Sequence, residues 1–202
     1  MSAASDPDTS SPATGAVDDG SATAAGSAGG AKSARDAFLP EGAVPLPEEP
    51  ATPMHRRRKN RAAAMQFLYS WDIARPADPA AALATFLAER RAEEGVTDEG
   101  YYSFAEELVD AALRNMDTID EALKERLENW DFRRIAKVEL ALLRVATCEL
   151  LYRPDIPPVV SINEAIELSK CFAAAESRRF INGLLDQIRA QLNRPARESV
   201  RM

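Results

Sequence analysis

DFRRIAKVELALLRVATCELLY, residues Asp131 to Tyr152, decides the fold. Placed on a helix at about 100° per residue, its apolar side chains wrap nearly the whole circumference instead of forming one stripe. Ile135, Val138, Leu142, Val145 and Ala146 line one side, and Leu140, Leu143, Leu150 and Leu151 line another. Lys137 and Arg144 mark a narrow wet edge. A segment this apolar, yet interrupted by charges, is the buried centre of an all-helical domain and not a membrane span. Asp131 is placed to cap its start and Pro154 to stop it. Two carboxylates, Glu139 and Glu149, fall inside the apolar arc. Each needs a hydrogen-bonding partner or a place at an interface, because an unpaired buried charge costs several kcal/mol.

Outward from that helix, capping signals mark its neighbours. Thr52-Pro53 and Asp78-Pro79 each give an N-cap followed by proline at the first helical position, predicting helices over 54–74 and 79–91. After Gly95 a third helix is expected over 98–115 and a fourth over 117–129, with Ile119, Leu123 and Leu127 on one face. Ser161-Ile162-Asn163-Glu164 has the spacing of a capping box and opens a sixth helix to Phe172. Ser177 caps a seventh, with the stripe Ile181, Leu184, Leu185, Ile188 and Leu192. No window alternates as a strand does. The expectation is an all-α domain over 54–195: a compact bundle of about seven helices, in two small lobes around a buried central helix.

The charge is unevenly spread. The 202-residue chain carries a net −7. Residues 1–53 hold eight acids (Asp6, Asp8, Asp18, Asp19, Asp36, Glu41, Glu48, Glu49) against Lys32 and Arg35, leaving 24 acids and 23 bases for the rest. The acidity belongs to a tail rich in Ala, Gly, Ser and Pro. It is too poor in large apolar residues to offset the entropy of ordering, and is expected to be disordered, as is the short end 196–202. It lacks the basic start, apolar run and cleavage site of a secretory signal. Nothing approaches the 20 or so apolar residues of a membrane span. Cys148 and Cys171, without CxxC spacing, read as free thiols in a reducing cytoplasm.

Against the near-neutral domain one cluster stands out: Arg56-Arg57-Arg58-Lys59-Asn60-Arg61. Five bases open helix one, at the end where the helix dipole favours acids, which points to an anionic partner. On the wheel Arg58, Ala62, Met65 and Tyr69 share a line, while Ala64, Phe67, Leu68 and Trp71 point elsewhere, toward a core. Arginines beside an aromatic ring suit RNA, the first for phosphates and the second for an unpaired base. A second candidate is Ser177-Arg178-Arg179-Phe180, two arginines at a helix start beside a ring at the margin of the apolar stripe. Catalytic signals are poor. The single histidine, His55, stands at the start of helix one and supports neither a triad nor a metal cluster. Gly29-Gly30-Ala31-Lys32-Ser33 lacks the Gly-Lys and the preceding strand of a phosphate loop. No cofactor or metal is expected.

Three separated motifs, RRRKNRAAAMQFLYSWD (56–72), VELALLRVATCELLYRPDIPPVVSINEAIELSKCF (138–172) and ESRRFINGLLDQI (176–188), resemble in this order the NusB family of bacterial transcription antitermination factors. The resemblance spans about Arg56 to Leu192 and is weakest between Pro76 and Asp117. It implies an all-helical fold and a non-enzymatic factor. Such a factor pairs with NusE, the small-subunit ribosomal protein, to bind boxA RNA and join elongating RNA polymerase with other Nus factors, as in ribosomal RNA operons. By position it implies RNA contacts at Arg57, Arg58, Arg61 and Tyr69, with a later stretch at Arg178, Arg179 and Phe180. It puts Glu139 on the NusE-facing surface and leaves Glu149 structural. The chain departs from the family at Pro158 and Val159, where tyrosine and lysine are usual, and at Ala173, where glycine is usual and whose absence predicts that the sixth helix either runs on or ends without a left-handed cap. The same module occurs at the front of RNA cytosine methyltransferases. That rival requires a further cofactor-binding domain, which this chain, ending at Met202, does not carry, so it fits only a fragment. A self-associating helical module is the other rival, since some family members form homodimers.

Overall fold

The computed structural model describes residues 52–127, 131–192 and 195, so the expectations for the tail and for the end of the chain lie outside the described residues. Among the described residues seven α-helices follow one another: α1 (Pro53–Ala74), α2 (Pro79–Glu93), α3 (Ser103–Arg114), α4 (Met116–Lys124), α5 (Lys137–Tyr152), α6 (Pro158–Phe172) and α7 (Ser177–Ala190). No strand occurs among the described residues. The proline-led starts act as read. Thr52 Oγ1 accepts from His55 N at 3.2 Å, and Asp78 Oδ1 accepts from Ala81 N at 3.0 Å.

Other starts differ from the reading. Asp131 caps a separate 3-10 turn, Phe132–Arg134, by accepting from Arg133 N at 2.9 Å. Ile135 and Ala136 then run extended, so α5 begins only at Lys137. The break lets Phe132 pack against the core while Ile135 is itself buried in it. Likewise a 3-10 turn, Glu99–Tyr102, precedes α3 and buries Tyr102. The Ser161–Glu164 capping box is not a cap at all: Pro157 and Pro158 start α6 a turn earlier, and both polar side chains turn inward. Helix α6 ends as expected without a left-handed cap, Ala173 being extended.

A single hydrophobic core runs through all seven helices. Leu140 to Leu150 of α5 are all buried, as its apolar circumference requires. Helix α1 is just as central, because Asn60 to Leu68 are all buried and it packs against α3 and α5. Three of its alanines, Ala62 to Ala64, are wholly enclosed, and their small side chains allow the neighbouring helices a close approach. The line through Ala62 and Met65 is therefore a core face, not a free one, and His55 is also buried.

Polar side chains also enter the core, and two of them tie helices together. Arg144, expected at the wet edge, is buried and forks onto Asp120 (2.8 Å to each oxygen), with Asp72 at 3.4 Å. It thereby ties α5 to α4 and α1. Asn60 accepts the Ala105 N–H at 3.0 Å and donates to Arg56 O and Tyr101 O, so a side chain from α1 satisfies the first turn of α3.

Candidate nucleic-acid interface

The basic run Arg56–Arg61 is dispersed by its helical pitch. Successive residues turn about 100°, so six neighbours cannot share a face. Arg56 faces the 3-10 turn, donating to Gly100 O (2.7 Å) and Tyr101 O (3.1 Å) and pairing with Asp98 (3.1 Å). Lys59 reaches Glu94 at 3.2 Å. Arg58 forks onto Glu164 of α6, at 2.9 and 2.8 Å, and its side chain keeps 18% exposure.

Arg61 corrects the reading from sequence. It is 4% exposed, and its Nε and Nη2 donate to Glu149 Oε1 and Oε2 at 2.5 and 3.1 Å. Ser161 Oγ donates to the same Glu149 at 2.7 Å, and Glu164 lies 3.8 Å from the Arg61 guanidinium. Glu149, 1% exposed, is thus structural, and Arg61 belongs with it in the interior. Of the three expected arginines, only Arg57 is exposed, with its guanidinium 4.8 Å from the centre of the Phe104 ring. Tyr69 is half-buried and packs on the core.

At the second candidate, Arg179 is exposed, Arg178 is partly covered, and Phe180 packs its half-buried ring against the core. Ser177 does not cap α7. Its hydroxyl donates to Glu139 Oε1, so the first turns of α5 and α7 are fastened at a half-buried carboxylate. The expected partner-facing acid and the second basic patch are therefore neighbours.

Sequence reasoning missed Phe104. Three guanidiniums surround its ring, those of Arg57, Arg61 and Arg153 at 4.8, 5.2 and 5.1 Å. Nothing in a linear reading links residues 57, 104 and 153. It also missed Glu164 as the counter-charge of Arg58; the available signal was that Ser161 and Glu164 share a helical face with Leu168, which is buried.

Both thiols are buried, and burial pushes Cys148 up to about 12 and Cys171 above its ordinary value. No helix among the described residues is long and apolar enough to cross a membrane.

Residues 58–190 match the family described as "NusB family". The transcription antitermination protein NusB of Geotalea daltonii is 41% identical over 148 residues, covering 69% of this chain and 97% of that protein. Its Bacillus mycoides counterpart is 44% identical, covering 68% and 99%. Among solved structures, T. maritima NusB superposes with a TM-score of 0.60 at 32% identity, covering 69% of this chain and 92% of that one. A crystal structure of the antitermination factors NusB and NusE in complex with double-stranded RNA superposes at 0.59 with 26% identity, covering 69% and 99%. With its helices in this order and the match spanning nearly the whole bundle, the chain belongs to the NusB family.

Proposed function

We propose that this protein is an RNA-binding transcription antitermination factor that pairs with NusE on boxA-type RNA and acts on elongating RNA polymerase. Its activity is binding rather than catalysis, and its place of work is the cytoplasm, where the polymerase is. The observation that carries the reading is the match to relatives named as antitermination proteins, together with a NusB–NusE–RNA complex of the same fold.

On this chain the RNA face is built from Arg57 and Arg58 at the start of α1 and Arg179 and Phe180 at the start of α7, with Arg178 beside them and Tyr69 further along α1. Arg57 supplies an exposed charge to a phosphate. Arg58 reaches the surface from its pair with Glu164, which fixes its fork. The NusE-facing acid is Glu139, adjoining the second patch through Ser177.

The test is binding of boxA RNA against a scrambled sequence, each with and without the cognate NusE. The expected result is a preference for boxA that NusE strengthens. Equal affinity for both RNAs in the presence of NusE overturns the reading.

A further inference from the structure

We propose that the cleft between the starts of α1 and α3 and the end of α5 is a phosphate subsite for the RNA strand. In it, Arg153 takes the phosphate and Glu107 holds its place when RNA is absent. This rests on the RNA-binding reading above and extends it to Arg153 and Glu107, to which the sequence reading gave no RNA-binding role.

The cleft is open, with a volume of about 280 Å³, close to the smallest specific ligand sites. Arg57 and Asn60 of α1, Ser103, Phe104 and Glu107 of α3, and Arg153 just past α5 line it. Phe104 forms its floor and carries two guanidiniums that matter here. Those of Arg57 and Arg153 lie 4.8 and 5.1 Å from the ring centre, so they are no more than about 10 Å apart. Among the described residues Arg57 forms no ion pair, and stacking on Phe104 holds its plane while its outer edge stays wet. The Ser103 side chain adds a hydroxyl at the rim.

Two carboxylates hold Arg153 unequally. Its Nε and Nη2 fork onto Asp155 at 2.9 and 3.0 Å, which fixes the plane of the guanidinium. Its remaining arm, Nη1, donates to Glu107 Oε2 at 2.6 Å. The Glu107 side chain is 59% exposed and, among the described residues, is held by this contact alone, so the pair is weak and screened by salt. A carboxylate swings out at little cost, and a phosphodiester oxygen carries the same single negative charge into the same place. The exchange leaves the charge balance around Arg153 and Asp155 unchanged. A strand running from Arg57 across the Phe104 platform to Arg153 then meets two fixed guanidiniums in succession.

The experiment measures boxA RNA binding in the presence of the cognate NusE, across a salt series, for E107Q, R153A, the double variant and R57A, with thermal melts alongside. E107Q keeps the shape of the side chain but removes the competing charge, and should tighten binding several-fold at low salt, the gain fading as salt rises. R153A should weaken binding several-fold and make the log–log salt slope shallower by about one. In the double variant the E107Q gain should vanish, because it acts through Arg153. A gain that survives without Arg153 is a diffuse charge effect and overturns the subsite. If R153A fails to fold, the exposed E107Q still decides: unchanged affinity overturns the subsite. Weakened binding by R57A beside wild-type behaviour of the other variants removes the subsite and leaves the RNA reading standing, whereas full boxA affinity in R57A strikes the RNA reading itself. Adenosine monophosphate at millimolar concentration should not displace the RNA; displacement would assign the cleft to a free nucleotide and overturn the strand path.

Discussion

Arg61 and Glu149 face each other inside the protein in a two-pronged pair, Nε to Oε1 at 2.5 Å and Nη2 to Oε2 at 3.1 Å, with Ser161 bonded to the same carboxylate. Both charges lie out of water, so attraction must offset a large desolvation cost, and the extra hydrogen bond from Ser161 is what lets it do so. The pair fastens α1 to α5, and Ser161 adds α6. An arginine of the basic run is thereby committed to the fold.

From this it follows that R61A should lower stability by about 3–5 kcal/mol, the loss expected when one partner of a buried pair is removed. R57A, whose side chain is exposed, should stay within about 0.5 kcal/mol of the wild type. Urea unfolding of the two variants checks this; equal, small losses would mean that Arg61 is not sealed in the interior.

The RNA effects should run the other way. R57A should weaken boxA binding and make the salt slope shallower by about one unit, without altering the melting temperature. Y69A should cost about 1–3 kcal/mol of binding with little change in slope, as for one stacked base. Because Tyr69 also packs on the core, its melt must be read alongside.

Much of this was legible in the chain. The apolar circumference of 137–152 correctly placed α5 at the centre, and the two Thr/Asp-Pro starts placed α1 and α2. Local signals failed where tertiary partners overrode them. Ser161 and Glu164 have the spacing of a capping box, but Glu149 and the arginines of α1 claim their side chains. Ser177 looks like a cap but serves Glu139. The division of Arg57, Arg58 and Arg61 into one exposed, one paired at the surface and one buried depends on which neighbouring helix each meets. Pitch alone cannot supply that, because the acids that meet them are about 90–110 residues away.

E139K should weaken NusE binding, since the charge at the partner surface is reversed. The fold should lose only about 1.5–3 kcal/mol, the worth of a hydrogen bond between Ser177 and a charged acceptor. S177A serves as the control: it removes the same bond but keeps the acid, so NusE binding should persist. Loss of NusE binding in both variants would trace the effect to the α5–α7 junction and not to the charge of Glu139.

The thiols make a prediction of their own. With burial pushing Cys148 up to about 12, the thiolate is scarce near neutral pH, and the side chain is enclosed as well. A thiol reagent at pH 8 should leave native Cys148 unmodified and label it fully in strong urea. Rapid native labelling of Cys148 by mass spectrometry would contradict the packing of α5.

Acid should unfasten the molecule from its carboxylates. Burial alone would raise Asp72, but the hydrogen bond from Lys137 and the charges of Arg144 and Lys137 outweigh it and hold the group below its ordinary 3.8. Burial likewise raises Glu94, while the charge of Arg90 and the contact with Lys59 draw it below 4.5. Asp155 is lowered first by its hydrogen bond to Arg153. A carboxyl whose native pKa is depressed binds its proton more readily in the unfolded chain, so its contribution is complete above the ordinary value and is lost as pH falls through the lower native one. Stability to urea should therefore be level in these groups above about pH 5 and fall steeply below about pH 4. In D72N the drop should be shallower and the plateau lower, because Arg144 and Lys137 lose a charged partner wherever wild-type Asp72 is ionised. A D72N curve parallel to the wild type through the acid range would show that Asp72 does not titrate with folding.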